Sequence, residues 1–493
     1  MPDEVTTPAG ATTAPVLGDM APEEFRRWAQ EVVDWMADYL AGVGELPVLP
    51  GVVPGELRSV LPSSAPERGE DFGRILSDYR NLVVPAVTHW NHPAFFAYFA
   101  TTGSAPGILG EMLAAALNVN AMVWKSSPAA TELEEVVTDW VRELVGLPGA
   151  FEGVINDTAS SSSLYALAAA REAGLPEARE EGLANAPRCR VYASAEAHSS
   201  IDKAVITLGL GRAGTRRVAT DRAFRMDTEA LRRAVEEDVR SGVRPLAVVA
   251  TVGTTSTTSV DPVDLVADVA AENGMWLHVD AAYAGPAACL PELRHHFAGW
   301  ERADSVVLNP HKWLFTPVDC SILFCRRPEM LRGAFSLTPE YLRTSEQGEA
   351  RNLMDYGVAL GRRFRALKLW FVLRWFGVEG VRARLREHVR LAREVAAWVE
   401  AEDGWDLVAP VPFSTVVLRR VPAGSDPEAQ DRMNADILER VNRSGGAFLS
   451  HTVLGGRVSI RLAVGNLRTT GEHVRTAWEL LRNAAAEVDG GAG

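Results

Sequence analysis

MWLHVDAAYAG, residues 275–285, and SVVLNPHKW, residues 305–313, are the two stretches on which the fold turns. Each is a short apolar run that stops abruptly at polar residues: Asp280 ends the first, and Asn309, His311 and Lys312 follow the second. Short apolar runs bounded by polar turns suit strands covered on both faces, as parallel strands are. CRVYAS (189–194), PLAVVATVG (245–253) and CSILFC (320–325) repeat the pattern, and the helical LVADVAAENG (265–274) lies between two such runs. Strand alternating with helix predicts an α/β fold with a mostly parallel central sheet.

Outward from this centre, SSPAATELEEVVTDWVRELVGLPG (126–149) reads as a helix with Ser127 as cap, Pro128 in its first turn, and Leu133, Val136, Val137, Trp140 and Leu144 on one face. FRALKLWFVLRWFGVEGVRARLREHVRLAREVAAWVEAEDG (364–404) is long and helical, and STVVLRRV (414–421) and GRVSIRLAVG (456–465) supply strands for a smaller α+β unit. Near the start, Phe25, Trp28, Val32, Trp35, Met36 and Tyr39 recur at helical spacing behind Pro22, Glu23 and Glu24. So much aromatic surface must pack on the core or on a second subunit. The expected organisation is a disordered arm over 1–20, a helical dimerisation segment over 21–105, a large domain over 106–385, a small C-terminal domain over 386–485 and a disordered tail over 486–493.

Composition narrows the function. A formal charge of −14 with scattered Lys and Arg provides no footprint for nucleic acid or an anionic membrane. The opening MPDEVTTPAG carries acids where a signal peptide needs positive charge, and no run is long and apolar enough to span a bilayer, so a cytoplasmic location is expected. Cys189, Cys289, Cys320 and Cys325 form no metal-type pair; neither a disulfide framework nor a metal site is expected.

Ligands of open α/β sheets bind at the carboxyl ends of strands. There the chain sets Asp280 and, 32 residues later, Lys312. An amine for an aldehyde and a carboxylate for a pyridine nitrogen are what pyridoxal 5'-phosphate (PLP) requires. After GVI (153–155), NDTASSSSLYALAAAREAG (156–174) offers a helix N-terminus with small residues for a phosphate, with Ala159 and Ser160 best placed and four consecutive serines leaving the contact open. His198 follows CRVYAS and suits stacking on a planar ring, and Thr255 in ATVGTTSTTS (250–259) offers a hydroxyl. Taken singly, each is as readily a cap, a turn residue or solvated surface.

As an ordered set these motifs resemble the group II PLP-dependent amino acid decarboxylases, in particular the aromatic-L-amino-acid decarboxylase branch. The resemblance spans roughly residues 20–480 and rests on THWNHPAFFAYF (88–99), SPAATELEEVVTDW (127–140), Ala-His-Ser-Ser at 197–200, VGTTSTTSVDP (252–262), WLHVDAAYAG (276–285), NPHKW (309–313) and GRRFRALKLWFVLR (361–374). It implies the aminotransferase-like fold type I with a seven-stranded sheet, and a homodimer with shared active sites. Lys312 is implied as the Schiff-base lysine, Asp280 as the partner of the pyridine nitrogen, His198 and Ala282 as residues on the two ring faces. Thr255, Asn309 and His311 match positions near the cofactor, and Ala159 and Ser160 the phosphate turn. Trp90, Tyr98, Phe99 and Thr101 are implied around the substrate ring. Met122 stands where a partner-subunit aromatic often sits, and Ala100 replaces a common proline. Gly361, where some tyrosine-preferring relatives carry serine, favours an indole or a broad specificity. GAFSLTPEYLRTSEQ (333–347) matches the family's mobile catalytic loop and carries Tyr341, the residue that protonates the substrate carbon in decarboxylases and is phenylalanine in aldehyde synthases. The expected product is an arylalkylamine with carbon dioxide, from tryptophan, phenylalanine, tyrosine or DOPA. The alternatives are an aromatic aldehyde synthase, a decarboxylase of a non-aromatic amino acid, and a non-catalytic binding module.

Overall fold

The computed structural model describes residues 18–337 and 350–490. They fall into two bodies, one of residues up to 45 with 51–87, the other of 46–50 with 88 onward. In the first, α1 (Pro22–Gly42) starts with Pro22 in its first turn beside Glu23 and Glu24. Trp28 packs on Phe72 of the short helix Phe72–Asp78 with ring centroids 5.2 Å apart, and Trp35 meets Tyr79 edge-on at 5.0 Å. No residue of α1 is buried within the chain, and Phe25 is 63% exposed.

The second body holds two sheets. Helices α2 (Ala105–Leu117) and α3 (Pro128–Val145) lead into β1 (Glu152–Asn156), followed by α4 (Ala159–Gly174), β2 (Cys189–Ser194), β3 (Thr215–Val218), β4 (Arg244–Thr251), α5 (Val263–Glu272), β5 (Trp276–Asp280), β6 (Ser305–Leu308) and β7 (Ser321–Cys325). The seven strands lie in the order β1-β7-β6-β5-β4-β2-β3, all neighbours parallel except where antiparallel β7 pairs with β1 and β6. Strands β5, β6 and β7 are buried at every residue, so both faces are covered and the apolar runs need not alternate.

Helix α3 begins at Pro128 and ends at Gly146, whose φ of +69° is the left-handed cap that glycine supplies readily. Its buried face is rotated from the expected one: Val137, Val141 and Val145 are buried, whereas Val136 and Trp140 are exposed. The rotation accommodates Glu134, a buried carboxylate that accepts from Ile155 N and Arg362 Nη2, both at 2.8 Å.

The long helix α6 (Arg365–Ala401) crosses residue 385 without a break there and is interrupted instead at Gly377, with φ 60° and ψ 176°. It leads to β8 (Trp405–Leu407), β9 (Thr415–Arg420), α7 (Pro427–Arg443), β10 (Ser450–Leu454), β11 (Arg457–Ala463) and α8 (Gly471–Gly490). These strands form an antiparallel sheet in the order β10-β11-β9-β8. Helix α8 runs to Gly490, so order continues past residue 486, where the tail was expected to begin. The run NAAAEVD (483–489) holds good helix formers, and Ala484 and Ala485 are buried in the small core. Among the described residues, no helix is long and apolar enough to cross a membrane and no cluster of His, Cys, Asp or Glu suits a metal ion.

Candidate active site

The registry of the sheet assembles the site. Asp280 pairs with Thr251 on β4 and with Val307 on β6, so three parallel strands end side by side. Beyond β6, Asn309 N donates to Ala282 O at 3.1 Å, and Pro310 opens a helical turn that presents Lys312, whose N–H donates to Asn309 O at 2.9 Å. The turn is fixed from β7: Cys320 N donates to His311 Nδ1 at 2.9 Å. A cavity of about 210 Å³ results, lined by Thr158, Ala159, Ser160, His198, Ser200, Thr251, Gly253, Thr255, Asp280, Ala282, Tyr283, Asn309, His311, Lys312 and Phe99. All nine positions expected near a cofactor are on its wall.

Burial holds the Lys312 ammonium below its usual range, with the Asp280 charge opposing and Arg461 reinforcing. His198 is likewise depressed by burial, again opposed by Asp280 and reinforced by Lys312. Ser200 N donates to His198 Nδ1 at 3.1 Å, which assigns the neutral ring with its proton on Nε2. His311 is pushed down to about 4, by burial first and Lys312 second. At the far end Thr158 begins α4 in extended geometry and gives no side-chain cap, so the first-turn N–H groups face the cavity end without one. Gly253 has φ +90°, and a Cβ there would meet that of Ala284 at 2.7 Å, so glycine lets the loop after β4 approach β5.

Behind the expected Phe99 stand residues that the motifs did not single out. Phe99, Tyr283 and Trp313 form a continuous stack with centroids 3.7 and 4.7 Å apart, ending on His388 Nδ1, which accepts from Trp313 Nε1 at 2.9 Å. Over Phe99, 4.5 Å from its centroid, lies the buried guanidinium of Arg461. It donates to Ser256 O at 3.2 Å and to Tyr98 O, where Tyr98 has φ 51°, while its Nη2 has no partner among the described residues. A single Arg within SIRLAV on β11 was the available clue: it lies on the face opposite Ile460 and Leu462 of the small core, yet is buried as they are.

The expected substrate residues divide. Phe99 is on the wall, but Trp90, Tyr98, Thr101, Met122 and Gly361 are not, and Trp90 and Tyr98 are exposed. Phe95 and Phe96 of the aromatic motif are fully buried in the small core, where Phe96 N donates to Phe448 O at 2.8 Å. Met122 and Gly361 instead flank Asn120, which accepts from Arg362 N at 2.9 Å. Tyr341 lies outside the described residues.

Pyridoxal phosphate fits these donors. The wall offers an amine for its aldehyde, a carboxylate for its ring nitrogen and an uncapped helix start for its phosphate, and Asn309 Oδ1 and Thr251 Oγ1 are buried there without a partner among the described residues. Sheet order and site together define a PLP-dependent enzyme of fold type I. A family model described as the pyridoxal-dependent decarboxylase conserved domain matches residues 54–421. Tryptophan decarboxylase 1 of Oryza sativa subsp. japonica is 40% identical over 498 residues, covering 97% of this chain and 96% of that protein. A phenylacetaldehyde synthase of Arabidopsis thaliana is 40% identical over 482 residues, covering 96% and 98% respectively. The crystal structure of an Oryza sativa TDC with PLP and tryptamine superposes with a TM-score of 0.93 at 39% identity, covering 96% of this chain and 99% of that one. The chain belongs to the pyridoxal-dependent decarboxylases.

Proposed function

We propose that the chain decarboxylates an aromatic L-amino acid to its arylalkylamine, in a homodimer whose active sites are shared. The observation that carries this reading is the grouping of Lys312, Asp280 and His198 around one cavity whose wall includes the stacked rings of Phe99 and Tyr283. Bound PLP supplies the electron sink that weakens the bond to the carboxylate carbon. Lys312, held below its usual pKa, is more readily unprotonated and would serve as the amine for the cofactor aldehyde. Asp280 would keep a proton on the ring nitrogen, and His198 and Ala282 would flank the ring. Thr255, Asn309 and His311 would hold the ring edge, and Ala159 and Ser160 the phosphate. Phe99 gives the substrate ring an apolar face, and Tyr341 delivers the proton to the α-carbon.

What a lone chain leaves uncovered supports the dimer. Leu109, Leu113 and Leu117 on α2 and Trp375 on α6 are exposed large apolar residues. Met122 and Gly361 of one copy would complete a pocket that Phe99, Trp90, Tyr98 and Thr101 of the other begin. A cytoplasmic location belongs to the same proposal and is checked by cell fractionation.

The relatives include an aldehyde synthase, which makes amine against aldehyde the question to resolve. Purified enzyme with PLP should release carbon dioxide and an equal amount of amine from at least one of tryptophan, phenylalanine, tyrosine and DOPA. Aldehyde with hydrogen peroxide would favour the synthase. Carbon dioxide from acidic or imidazole amino acids alone would overturn the aromatic assignment, and none from any amino acid would overturn the enzyme.

A further inference from the structure

Four serines open α4, yet only Ser160 of the four reaches the cavity wall. Ser162 and Ser163 turn the other way and are completely buried. A hydroxyl in a helix interior competes with the backbone and a buried one needs a partner, so alanine would be the simpler residue at both positions. Both have partners in the sheet. Ser162 Oγ accepts from Asn156 Nδ2 at 3.1 Å and shares a hydrogen bond of 2.9 Å with Ser321 Oγ on β7. Ser163 Oγ lies 3.2 Å from His278 Nε2 on β5, and His278 Nδ1 lies 2.9 Å from Ser305 Oγ on β6.

The second chain joins sheet to helix. Trp276 Nε1 can only donate and does so to Ser305 Oγ at 2.8 Å. Ser305 Oγ thereby links Trp276 to His278 Nδ1, and His278 Nε2 links on to Ser163 Oγ. Complete burial keeps this imidazole neutral, so one ring nitrogen donates and the other accepts. His278 and Asp280 stand two residues apart on one strand, so their side chains share a face about 6.6 Å apart along it. One strand therefore sets both the acid that would meet the ring nitrogen and the imidazole that bonds the helix.

We propose that Ser162 and Ser163, with His278 and Ser321, are positioning residues that fix the start of α4 against the sheet at the height the cofactor phosphate requires. The inference rests on the reading that the first turn of α4 holds that phosphate. Its test compares the dissociation constants of PLP and of pyridoxal, which lacks the phosphate, for Ser163→Ala and separately Ser162→Ala, followed by cofactor absorbance and protein fluorescence. Wild type should prefer PLP strongly. Each alanine variant should weaken PLP by about tenfold while pyridoxal binding stays within about twofold, so the preference shrinks. Ser162→Ala leaves His278 paired and covers the case in which Ser163→Ala does not fold. A wild type indifferent to the phosphate would sink the phosphate reading itself. A preference that survives in the variants, or PLP and pyridoxal weakened equally, would sink the positioning role alone.

Discussion

A lysine amine enclosed by Phe99, Tyr283 and the sheet is an unfavourable place for a cation, and that is its value as a nucleophile. The same enclosure makes His198 and His311 neutral, so the wall presents shaped donors and one carboxylate. In the proposed reaction, delivery of the proton falls to Tyr341. Tyr341→Phe should lower amine output by ~100-fold or more and divert turnover to aldehyde with peroxide; a product assay showing unchanged amine would remove Tyr341 from that role. The residues around the cavity were legible because each follows an apolar run at a strand end. Arg461 and Tyr283 were not, since one sits inside a strand of the other sheet and the other belongs to a motif already credited to Asp280. In THWNHPAFFAYF, rings of different fate share one loop, Phe95, Phe96 and Phe99 being buried and Trp90 and Tyr98 exposed, and composition cannot tell which ring faces which way.

At the scale of elements, strands announced themselves where both faces are buried and stayed silent where they are not. β5, β6 and β7 read directly from the sequence, whereas the short polar β3 (TRRV) and β8 (WDL) carry too few apolar residues to register. The break in α6 was equally hidden, because Gly377 sits inside an amphipathic pattern that continues on both sides. Its backbone, φ 60° and ψ 176°, is open essentially to glycine alone. Gly377→Ala should therefore cost ~1–3 kcal/mol even though nothing lies within 4 Å of the added carbon. Gly380→Ala, at an ordinary helical position with only normal contacts, should be neutral or stabilising. Urea denaturation of the two variants decides, and equal midpoints would mean the break is not a glycine requirement.

For the molecule as a whole, buried imidazoles tie stability to pH. His278, His311 and His388 are each pushed from 6.5 to about 4, chiefly by burial. A histidine depressed in the folded state binds its proton more readily when unfolded. Its stabilisation is thus complete above 6.5 and is lost as pH falls toward about 4, worth up to ~3 kcal/mol for each such group. His296, also pushed down to about 4 by burial, adds to them, while Asp261, raised to about 7 mainly by burial, and Glu135 and Glu196, raised by burial, work in the opposite direction. Denaturation midpoints should fall steadily between pH 6.5 and 4.5, and a flat profile would show that these rings are charged in the fold. Assembly is the other property at this scale. Size-exclusion with light scattering should give twice the chain mass of 53.4 kDa, and a fully active monomer would contradict shared sites.

The bond between cofactor and chain is where the three scales meet, since the strand ends, the helix start and the enclosed amine all serve it. Reduction of the PLP-loaded enzyme with borohydride, followed by digestion and mass spectrometry, should find the cofactor's mass on the peptide that carries Lys312. The label on any other lysine, or on none, would contradict the account.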